Sequence, residues 1–245
     1  MTDPSRDDDL LFVTSVSRAD VLARCLLRSP CLQPGGRPLV AHFNAPSAAA
    51  AANAALDSHQ GVGWLVWVHQ DVLLPAGWDR RFAAALAEAG RRFPQLAVAG
   101  VYGLAGHGAG ARRAGHVLDR GTLLREPEPL PCAADSLDEL LVAVRPASGL
   151  RFDPALGFDF YATDLVLQAR QRGLQCAVVD AYCEHWSDTP RSGAPPGLAA
   201  RIKASARAFE AKWAGQLPVS TPCFHIDRAG AVAAQIDAWQ AGAAA

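Results

Sequence analysis

The stretch "WLVWVHQDVLLP", Trp64 to Pro75, decides the fold. Five consecutive apolar residues, Trp64–Val68, precede the polar triplet His69-Gln70-Asp71. A strand that is apolar at every position, and not only at alternate positions, is covered on both faces, as in a parallel sheet. The stretch therefore predicts a central strand of an α/β sheet, with polar side chains where the strand leaves the sheet.

The segments around this strand alternate between strand and helix patterns. Short apolar runs predict further strands at Leu10–Val16, Leu39–Phe43 and Leu96–Val101. Helices are predicted after Ser17 as N-cap, after Ser47 as N-cap, and over residues 75–94, which Pro94 ends. This alternation predicts an open, mostly parallel sheet with helices on both faces.

The second half of the chain is predicted to complete the same sheet. Strands are expected at Leu137–Pro146 and in "CAVVDAYCEHW", residues 176–186, with the helix "YATDLVLQARQRGL" between them. "HVLDRGTLL", residues 116–124, predicts a hairpin. A helix beginning at Pro195 or Gly197 and an Ala-rich helix near the end of the sequence follow. We therefore expect one domain.

Composition excludes several classes of protein. Of 245 residues, 50% are hydrophobic and 19% are charged, which is typical of globular proteins. A net charge of −1 argues against nucleic acid or an anionic membrane as partner. The six cysteines form no CxxC pair and match no zinc module, so reduced thiols and a cytoplasmic location are expected. No apolar run reaches the ~18 residues of a membrane span.

Polar residues follow four of the predicted strands. They are Thr14-Ser15, Asn44, His69-Gln70-Asp71 and Glu184-His185. Ligands of open α/β sheets bind beyond the carboxyl ends of the strands. If these strands are parallel and adjacent, the four groups meet at one edge of the sheet.

The third group has the chemistry of a metal site. Side chains alternate along an extended segment, so His69 and Asp71 point the same way and Gln70 points the other way. A carboxylate suits Mg²⁺ or Mn²⁺, and an added imidazole favours Mn²⁺ or another transition ion. His185 is a candidate third ligand. The alternative is a hydrogen-bonded surface pair, which is the commoner role of a His-x-Asp at a strand end.

Three stretches together resemble family-2-type glycosyltransferases. They are "NAPSAAAAANAALD" (residues 44–57), "WLVWVHQDVLLPAGW" (64–78) and "GLRFDPALGFDFYATDLVLQARQRGLQCAVVDAYCEHWS" (149–187). The "HQDV-LP-GW" form is typical of a bacterial subgroup of glycosyltransferase-like proteins. The resemblance spans about Leu10 to Ser187 and implies a GT-A fold, with a Rossmann-like nucleotide-binding half at 1–103 and an acceptor-side half at 104–187. We interpret the remaining residues, 188–245, as a lid loop and C-terminal helices. It also implies a nucleotide-diphosphate sugar as donor and a divalent metal.

Residue by residue, the resemblance assigns the metal to Asp71, which meets the donor diphosphate, and to His185. His69 stands where many relatives carry the first Asp of their metal motif. Residues assigned to donor binding lie along the predicted cleft and lid: Thr14, Ser15, Val16, Asn44, Asn53, Gln70 and Arg191. Arg191 lies in a proline-rich loop that is either a lid or a plain connector.

The catalytic base is assigned less directly. Inverting relatives carry Glu-Asp before a "xDLxLR" helix, and alignment on "DLVLQAR" places Tyr161-Ala162 at that pair. Asp164 or Asp159 then takes the proton of the acceptor hydroxyl. Asp164 has an equal alternative as an acid favoured at a helix N-terminus.

The sequence therefore predicts a metal-dependent glycosyltransferase that moves a sugar to a hydroxyl of a glycan, lipid or small molecule. Two alternatives stay open. One is a non-catalytic GT-A-like protein that binds a nucleotide sugar or glycan. The other is a sugar nucleotidyltransferase, for which Arg18 is the only basic residue in the first loop.

Overall fold

The computed structural model describes residues 8–106, 110–189 and 194–243. Its strands are β1 (Leu10–Val16), β2 (Leu39–Phe43), β3 (Trp64–Val68), β4 (Val72–Leu73), β5 (Leu96–Gly100), β6 (Tyr102–Ala105), β7 (Arg112–Asp119), β8 (Thr122–Arg125), β9 (Cys132–Ala133), β10 (Ser136–Leu137), β11 (Leu141–Val144), β12 (Gln175–Val178), β13 (Cys183–His185), β14 (Val219–Ser220) and β15 (His225–Ile226). Its α-helices are α1 (Ala19–Arg24), α2 (Ala48–Ser58), α3 (Trp78–Arg92), α4 (Tyr161–Gln171), α5 (Pro196–Lys212) and α6 (Ala231–Ala243).

The main sheet has seven strands, in the order β2-β1-β3-β11-β5-β12-β9. Strands β2, β1 and β3 are parallel, and β12 is parallel to β5. Strand β11 runs antiparallel between β3 and β5, and β9 is antiparallel to β12. The predicted α/β class is therefore confirmed, and β1, β2 and β3 end at the same edge.

Strand β3 is covered on both faces, as its sequence predicted. Its five residues are at most 2% exposed. Trp64, Val66 and Val68 join one core together with Trp78 and other side chains of α3. The alternate residues, Leu65 and Trp67, join a second core with α2 and α4. Because each such side chain contributes roughly 1.5–3 kcal/mol on burial, this strand is fixed in place.

Of the two predicted serine N-caps, one is confirmed and one is wrong. Ser47 caps α2, since its Oγ accepts a hydrogen bond from the Ala50 N–H at 3.0 Å. Ser17 does not cap α1, whose N-cap position is Arg18 and has no side-chain cap of its own. The Gln70 side chain accepts the N–H groups of Ser17 and Arg18, which precede the helix, at 3.2 and 3.1 Å.

A second sheet, absent from the sequence prediction, has the order β10-β6-β7-β13-β4, with β8 paired to β7. The predicted strand over residues 176–186 is wrong as one element, because β12 ends in the main sheet and β13 joins the second. Likewise, residues 137–146 divide between β10 and β11. The residues between β12 and β13 are mostly apolar, so the hydrophobic pattern does not reveal that break. Between β10 and β11, Asp138 and Glu139 interrupt the apolar run and mark the turn.

The last helices and the β14–β15 hairpin form a third core. Phe209 of α5 and Trp213, which follows that helix, pack there with Leu167 of α4 and Val232 of α6. In the described ranges, no helix combines the length and apolar character needed to cross a membrane.

Candidate metal centre and cleft

A cleft of about 450 Å³ opens where β1, β2 and β3 end. Its lining residues come from three strand ends and two later segments: Ser15, Val16, Ser17, Asn44, Ala45, Trp67, Val68, His69, Gln70, Asp71, Phe158, Tyr161 and Arg201. The first three groups of polar strand-end residues therefore meet, because the strands that carry them are parallel neighbours. Asn44 follows β2 directly in a left-handed conformation, φ 52°, which asparagine tolerates better than most residues.

His69, Asp71 and His185 form a cluster beside this cleft. One ligand atom from each lies within 4.8 Å of the other two. His69 Nδ1 is 3.9 Å from Asp71 Oδ1, and His185 Nε2 is 3.4 Å from the same oxygen. His185 arrives from the second sheet, where its backbone pairs with Val72 of β4. The sequence analysis expected His185 at the edge of the main sheet, whereas the structure places it in the second sheet.

A hydrogen-bond chain orients the His69 ring. The Tyr161 hydroxyl donates its single hydrogen to the Glu139 carbonyl at 2.8 Å and accepts the Trp67 indole N–H at 3.0 Å. His69 Nε2 lies 2.8 Å from the same hydroxyl oxygen. Since that hydrogen is already used, His69 Nε2 must be the donor. The lone pair of neutral His69 is therefore on Nδ1, on the Asp71 side.

His185 is oriented in the same manner by a carboxylate. Its Nδ1 is 2.9 Å from Asp119 Oδ1, so Nδ1 donates and Nε2 faces Asp71. Histidine ligands of metals are held by such outer partners, which fix the tautomer and the ring orientation. Both rings thus direct their other ring nitrogen toward one carboxylate oxygen. His69 Nδ1 does so with its lone pair, and His185 Nε2 with a proton that it donates to Asp71 and that a bound cation would displace.

The electrostatics of the cluster favour positive charge. Burial opposes protonation of His185, but hydrogen bonds to Asp119 and Asp71 outweigh it and raise the His185 pKa to about 10. Burial also opposes ionisation of Asp71, yet the hydrogen bond from His185 lowers its pKa to about 2. Burial lowers the pKa of His69, which favours its neutral, metal-ligating form. Two carboxylates around two imidazoles suit a divalent cation in charge and donor type.

Of the other residues predicted to bind the donor, Gln70 lies in the cleft, whereas Thr14 and Asn53 are not among its described lining residues. Gln70 lines the cleft and also donates from Nε2 to Ser17 Oγ at 2.9 Å, so it orders the loop after β1. Thr14 is fully buried behind that loop. Asn53 is not among the described cleft-lining residues, and its amide binds both backbone groups of Phe152 at 2.9 and 3.0 Å. Arg191 lies outside the described residues.

Asp164, a predicted base, is fully buried in the first turn of α4. Its carboxylate accepts hydrogen bonds from Trp213 Nε1 at 2.8 Å and Gln168 Nε2 at 2.6 Å. Lys212 Nζ lies 2.7 Å from Oδ1. These contacts tie α4 to α5 and favour the helix-terminal role for this acid over proton transfer.

Asp159, the other predicted base, is 7% exposed. Its two oxygens accept from Arg201 Nε and Nη2 at 3.1 and 3.0 Å, and Ser205 Oγ donates to Oδ2 at 3.1 Å. Arg201 itself lines the cleft, so the pair joins α5 to the site. A carboxylate held in this way is a poor proton acceptor, because protonation breaks the bidentate pair.

Three site residues escaped the sequence analysis as functional groups: Tyr161, Asp119 and Arg201. Asp119 ends a predicted hairpin strand, and this position at a strand end is the one local signal that marks it. Tyr161 lies in the "DLVLQAR" motif region, where the alignment marks a missing acid pair and gives the tyrosine no role, and Arg201 lies in a helix with no motif around it. They reach the cleft through the packing of α4 and α5, which no local pattern reports.

No family model matches this chain. It is 33% identical over 136 residues to "ATP synthase subunits region ORF 6" of Fuscovulum blasticum, which covers 50% of this chain and 51% of that protein. The chain thus spans about half the length of this curated relative.

Two solved structures align with the fold at low identity. A197 from STIV gives a TM-score of 0.43 at 14% identity, over 73% of this chain and 86% of that one. GalNAc-T7, solved with UDP, GalNAc and Mn²⁺, gives 0.45 at 12% identity, over 85% of this chain and 52% of that one. Because both TM-scores are below 0.5, neither match enters the functional assignment.

Proposed function

We propose that the protein is a metal-dependent glycosyltransferase of GT-A type, using a nucleotide-diphosphate sugar as donor. The observation that carries this proposal is the His69–Asp71–His185 cluster, at the edge where three parallel strands end and open onto the cleft. Each histidine has its second nitrogen engaged, which leaves the ligand nitrogens on the Asp71 side. The division into a donor half, an acceptor half and a lid with helices belongs to the same proposal.

The residues present fit a transition ion better than magnesium. Two imidazoles and one carboxylate leave coordination positions open, and imidazole is a poor ligand for Mg²⁺ but a good one for Mn²⁺ and related ions. When bound, the ion would supply Lewis-acid neutralisation of the diphosphate leaving group. His69 Nδ1, His185 Nε2 and Asp71 would hold it.

The rest of the cleft supplies groups of the kind a nucleotide needs. Asn44 and Ser15 offer neutral hydrogen-bonding side chains at the ends of β2 and β1. Arg201 is the one cation among the described cleft-lining residues, and its guanidinium suits a diphosphate oxygen. We assign the base and ribose to the Asn44–Ser15 side and the diphosphate to the space between Arg201 and Asp71.

Titration calorimetry with Mn²⁺, followed by UDP and GDP, tests the proposal. We expect nucleotide binding to require Mn²⁺ in the wild type. Asp71→Asn and His185→Ala should weaken Mn²⁺ binding by about 100-fold, since even loss of an outer partner costs roughly 10–100-fold. The matched controls are Asp57→Asn and His225→Ala, at exposed positions. Absence of binding by either nucleotide, with or without Mn²⁺, contradicts the proposal.

One observation favours a second candidate function, a GT-A-like protein that binds a nucleotide sugar without turnover. Both acids that the sequence offered as base, Asp164 and Asp159, are held by cations. Mn²⁺-dependent nucleotide binding with neither transfer nor donor hydrolysis would favour this candidate over the enzyme.

A further inference from the structure

A second cavity, of about 170 Å³, adjoins the cluster from the other side of His69. Most of its lining residues come from the β10–β11 turn, the start of α4, and the C-terminal elements: His69, Leu137, Asp138, Glu139, Asp159, Phe160, Thr163, Ile202, Thr221, Pro222, Cys223 and Phe224. His69 is the residue that it shares with the cleft. A group bound in either cavity is therefore next to the same imidazole.

Glu139 is the unusual residue of this cavity. Its Oε1 is buried and has no hydrogen-bond partner within the described part of the chain. Burial raises its pKa well above the ordinary value, and the neighbouring charges of Asp159 and Asp138 raise it further, so its ionised form is a stronger base than an ordinary carboxylate. A buried polar atom without a partner costs roughly 1–3 kcal/mol, so a ligand that supplies a hydrogen bond there gains that amount.

The position of Glu139 is fixed by the metal cluster. Its backbone carbonyl accepts the Tyr161 hydroxyl that orients His69. The cavity, the unpartnered carboxyl and the metal ligands are therefore parts of one connected structure. Neither Asp164 nor Asp159 combines these properties.

We propose that this second cavity receives the acceptor and that the Glu139 carboxylate takes the proton of its hydroxyl group. This inference rests on the proposed function. The acceptor oxygen forms the bond to the anomeric carbon while the bond from that carbon to the diphosphate oxygen breaks. The nucleoside diphosphate leaves with that electron pair, and the acceptor proton passes to Glu139.

The lining also defines the class of acceptor. Phe160, Ile202 and Phe224 give apolar walls, which suit the face of a sugar ring or a short alkyl chain. Asp138 and Glu139 repel an anionic group. A volume below the roughly 300 Å³ of common ligand sites admits one ring. The acceptor is thus a neutral alcohol with an apolar face and no phosphate.

The binding test uses saturation-transfer NMR with the methyl β-glycosides of glucose, galactose, mannose and N-acetylglucosamine, and their 6-phosphates. We expect at least one neutral glycoside to bind the wild type and Glu139→Gln, and to lose binding in Ile202→Trp, which fills the cavity. Glu88→Gln, on the exposed side of α3, is the control and should bind like wild type. Binding by none of them, or equal binding by the 6-phosphates, overturns the inference.

The catalytic test follows transfer from UDP-glucose, UDP-galactose and UDP-N-acetylglucosamine with Mn²⁺. Glu139→Gln should lose at least ~100-fold in kcat with KM for the glycoside little changed, since positioned bases contribute roughly 10²–10⁴-fold. Unchanged kcat, or no transfer by a wild type that binds Mn²⁺ and UDP, overturns the role of Glu139. Mn²⁺–UDP calorimetry on the same variants separates this outcome from failure of the proposed function, which would abolish donor binding in the wild type.

Discussion

Tyr161 places three constraints on the site with one hydroxyl group. It accepts the Trp67 indole N–H, donates to the Glu139 carbonyl, and by exclusion requires His69 to carry its hydrogen on Nε2. Sequence alignment placed this residue at a missing acid pair and gave it no role. Its contribution depends on partners 22 and 94 residues away, which a local motif does not contain.

Tyr161→Phe isolates this contribution. Without the hydroxyl, His69 is free to take either tautomer, so we expect Mn²⁺ affinity to fall by roughly 10–100-fold. The unpartnered Trp67 and Glu139 groups should also lower the free energy of unfolding by about 1–3 kcal/mol. Calorimetry and urea denaturation measure the two effects. Tyr182→Phe, near the surface and stacked on His116, is the matched control. Unchanged Mn²⁺ affinity in Tyr161→Phe would contradict this role.

Arg201 makes a separate prediction on the donor side. If its guanidinium meets the diphosphate, Arg201→Gln should weaken Mn²⁺–UDP binding by about 10-fold or more, the value of one charge-assisted hydrogen bond. Binding of uridine, which lacks phosphate, should not change. Arg207→Met, an exposed position on the same helix, is the control. Equal losses for UDP and uridine would mean that the substitution acts through the fold.

Single residues were predictable where strand geometry determines direction. His69 and Asp71 share a side because side chains alternate along extended chain, and the parallel strands bring Ser15 and Asn44 to the same cleft. Asp119 and Arg201 were not predictable as site residues. The first depends on the pairing of β13 with β7, and the second on how α5 packs.

At the scale of elements, helices α4 and α5 are joined by buried charge. Lys212 lies 2.7 Å from both Asp164 Oδ1 and Asp153 Oδ2, while Trp213 donates to Asp164. Asp164 is fully buried and the Lys212 side chain is 31% exposed. Removing the cation therefore leaves a buried carboxylate with only neutral partners.

Lys212→Met should lower the free energy of unfolding by roughly 1–3 kcal/mol, which is the buried-pair penalty reduced for the exposure of Lys212. Lys203→Met is the control, because its partner Asp237 is 66% exposed and such pairs contribute at most about 1 kcal/mol. Urea denaturation of the three proteins gives the comparison. A loss no larger in Lys212→Met than in Lys203→Met would contradict this role.

The same pair gives a pH dependence of stability. Burial opposes ionisation of Asp153, but the hydrogen bond from Lys212 outweighs burial and lowers the Asp153 pKa below its ordinary 3.8. The stabilisation from this ion pair is therefore lost as the pH falls through that lowered value. Burial opposes protonation of Lys212, but hydrogen bonds to Asp153 and Asp164 outweigh burial and raise the Lys212 pKa above its ordinary 10.5. The stabilisation from the protonated lysine is therefore lost as the pH rises through that raised value. The difference in stability between wild type and Lys212→Met should therefore be largest from about pH 4 to pH 10 and shrink on both sides. A difference that is constant from pH 2 to pH 12 would contradict this origin.

Elements were predictable where hydrophobic period and turn residues coincide. Strands β1, β2 and β3 match their predicted bounds, and Ser47 begins α2 as expected. The break between β12 and β13 was missed, because both strands and the residues between them are largely apolar. Which sheet a strand joins is decided by pairing partners that are far apart in sequence.

At the scale of the whole molecule, three cores divide the structural work. Two lie on opposite faces of the main sheet, and the third joins α5, α6 and the β14–β15 hairpin to α4. The first two hold the cleft at the ends of β1, β2 and β3, while residues of the third bring Arg201 and Ile202 to the site. This organisation explains why the cleft was predictable from sequence and the second cavity was not.

The exposure of the cysteines distinguishes the first two cores from the second cavity. All six are free, and five are buried, four of them in the first two cores: Cys31, Cys132, Cys176 and Cys183. Burial raises the pKa of Cys31 and Cys132 to about 11, which suppresses their thiolates. Cys223 is exposed, in the turn between β14 and β15 that lines the second cavity.

Cys223 is the exposed thiol, so we expect it alone to react with Ellman's reagent in the native protein. The reaction should be slow at pH 8 and faster at higher pH, because burial of its sulfur and the charges of Asp138 and Glu139 raise the Cys223 pKa to about 12. All six thiols should react in urea. Cys223→Ser should remove the native reaction, while Cys25→Ser, at a buried position, should not. A methyl glycoside bound in the second cavity should slow the native reaction, because the sugar ring would cover Cys223. Rapid labelling of two or more thiols would contradict the packing of the first two cores, and labelling unaffected by a glycoside that binds would place that ligand elsewhere.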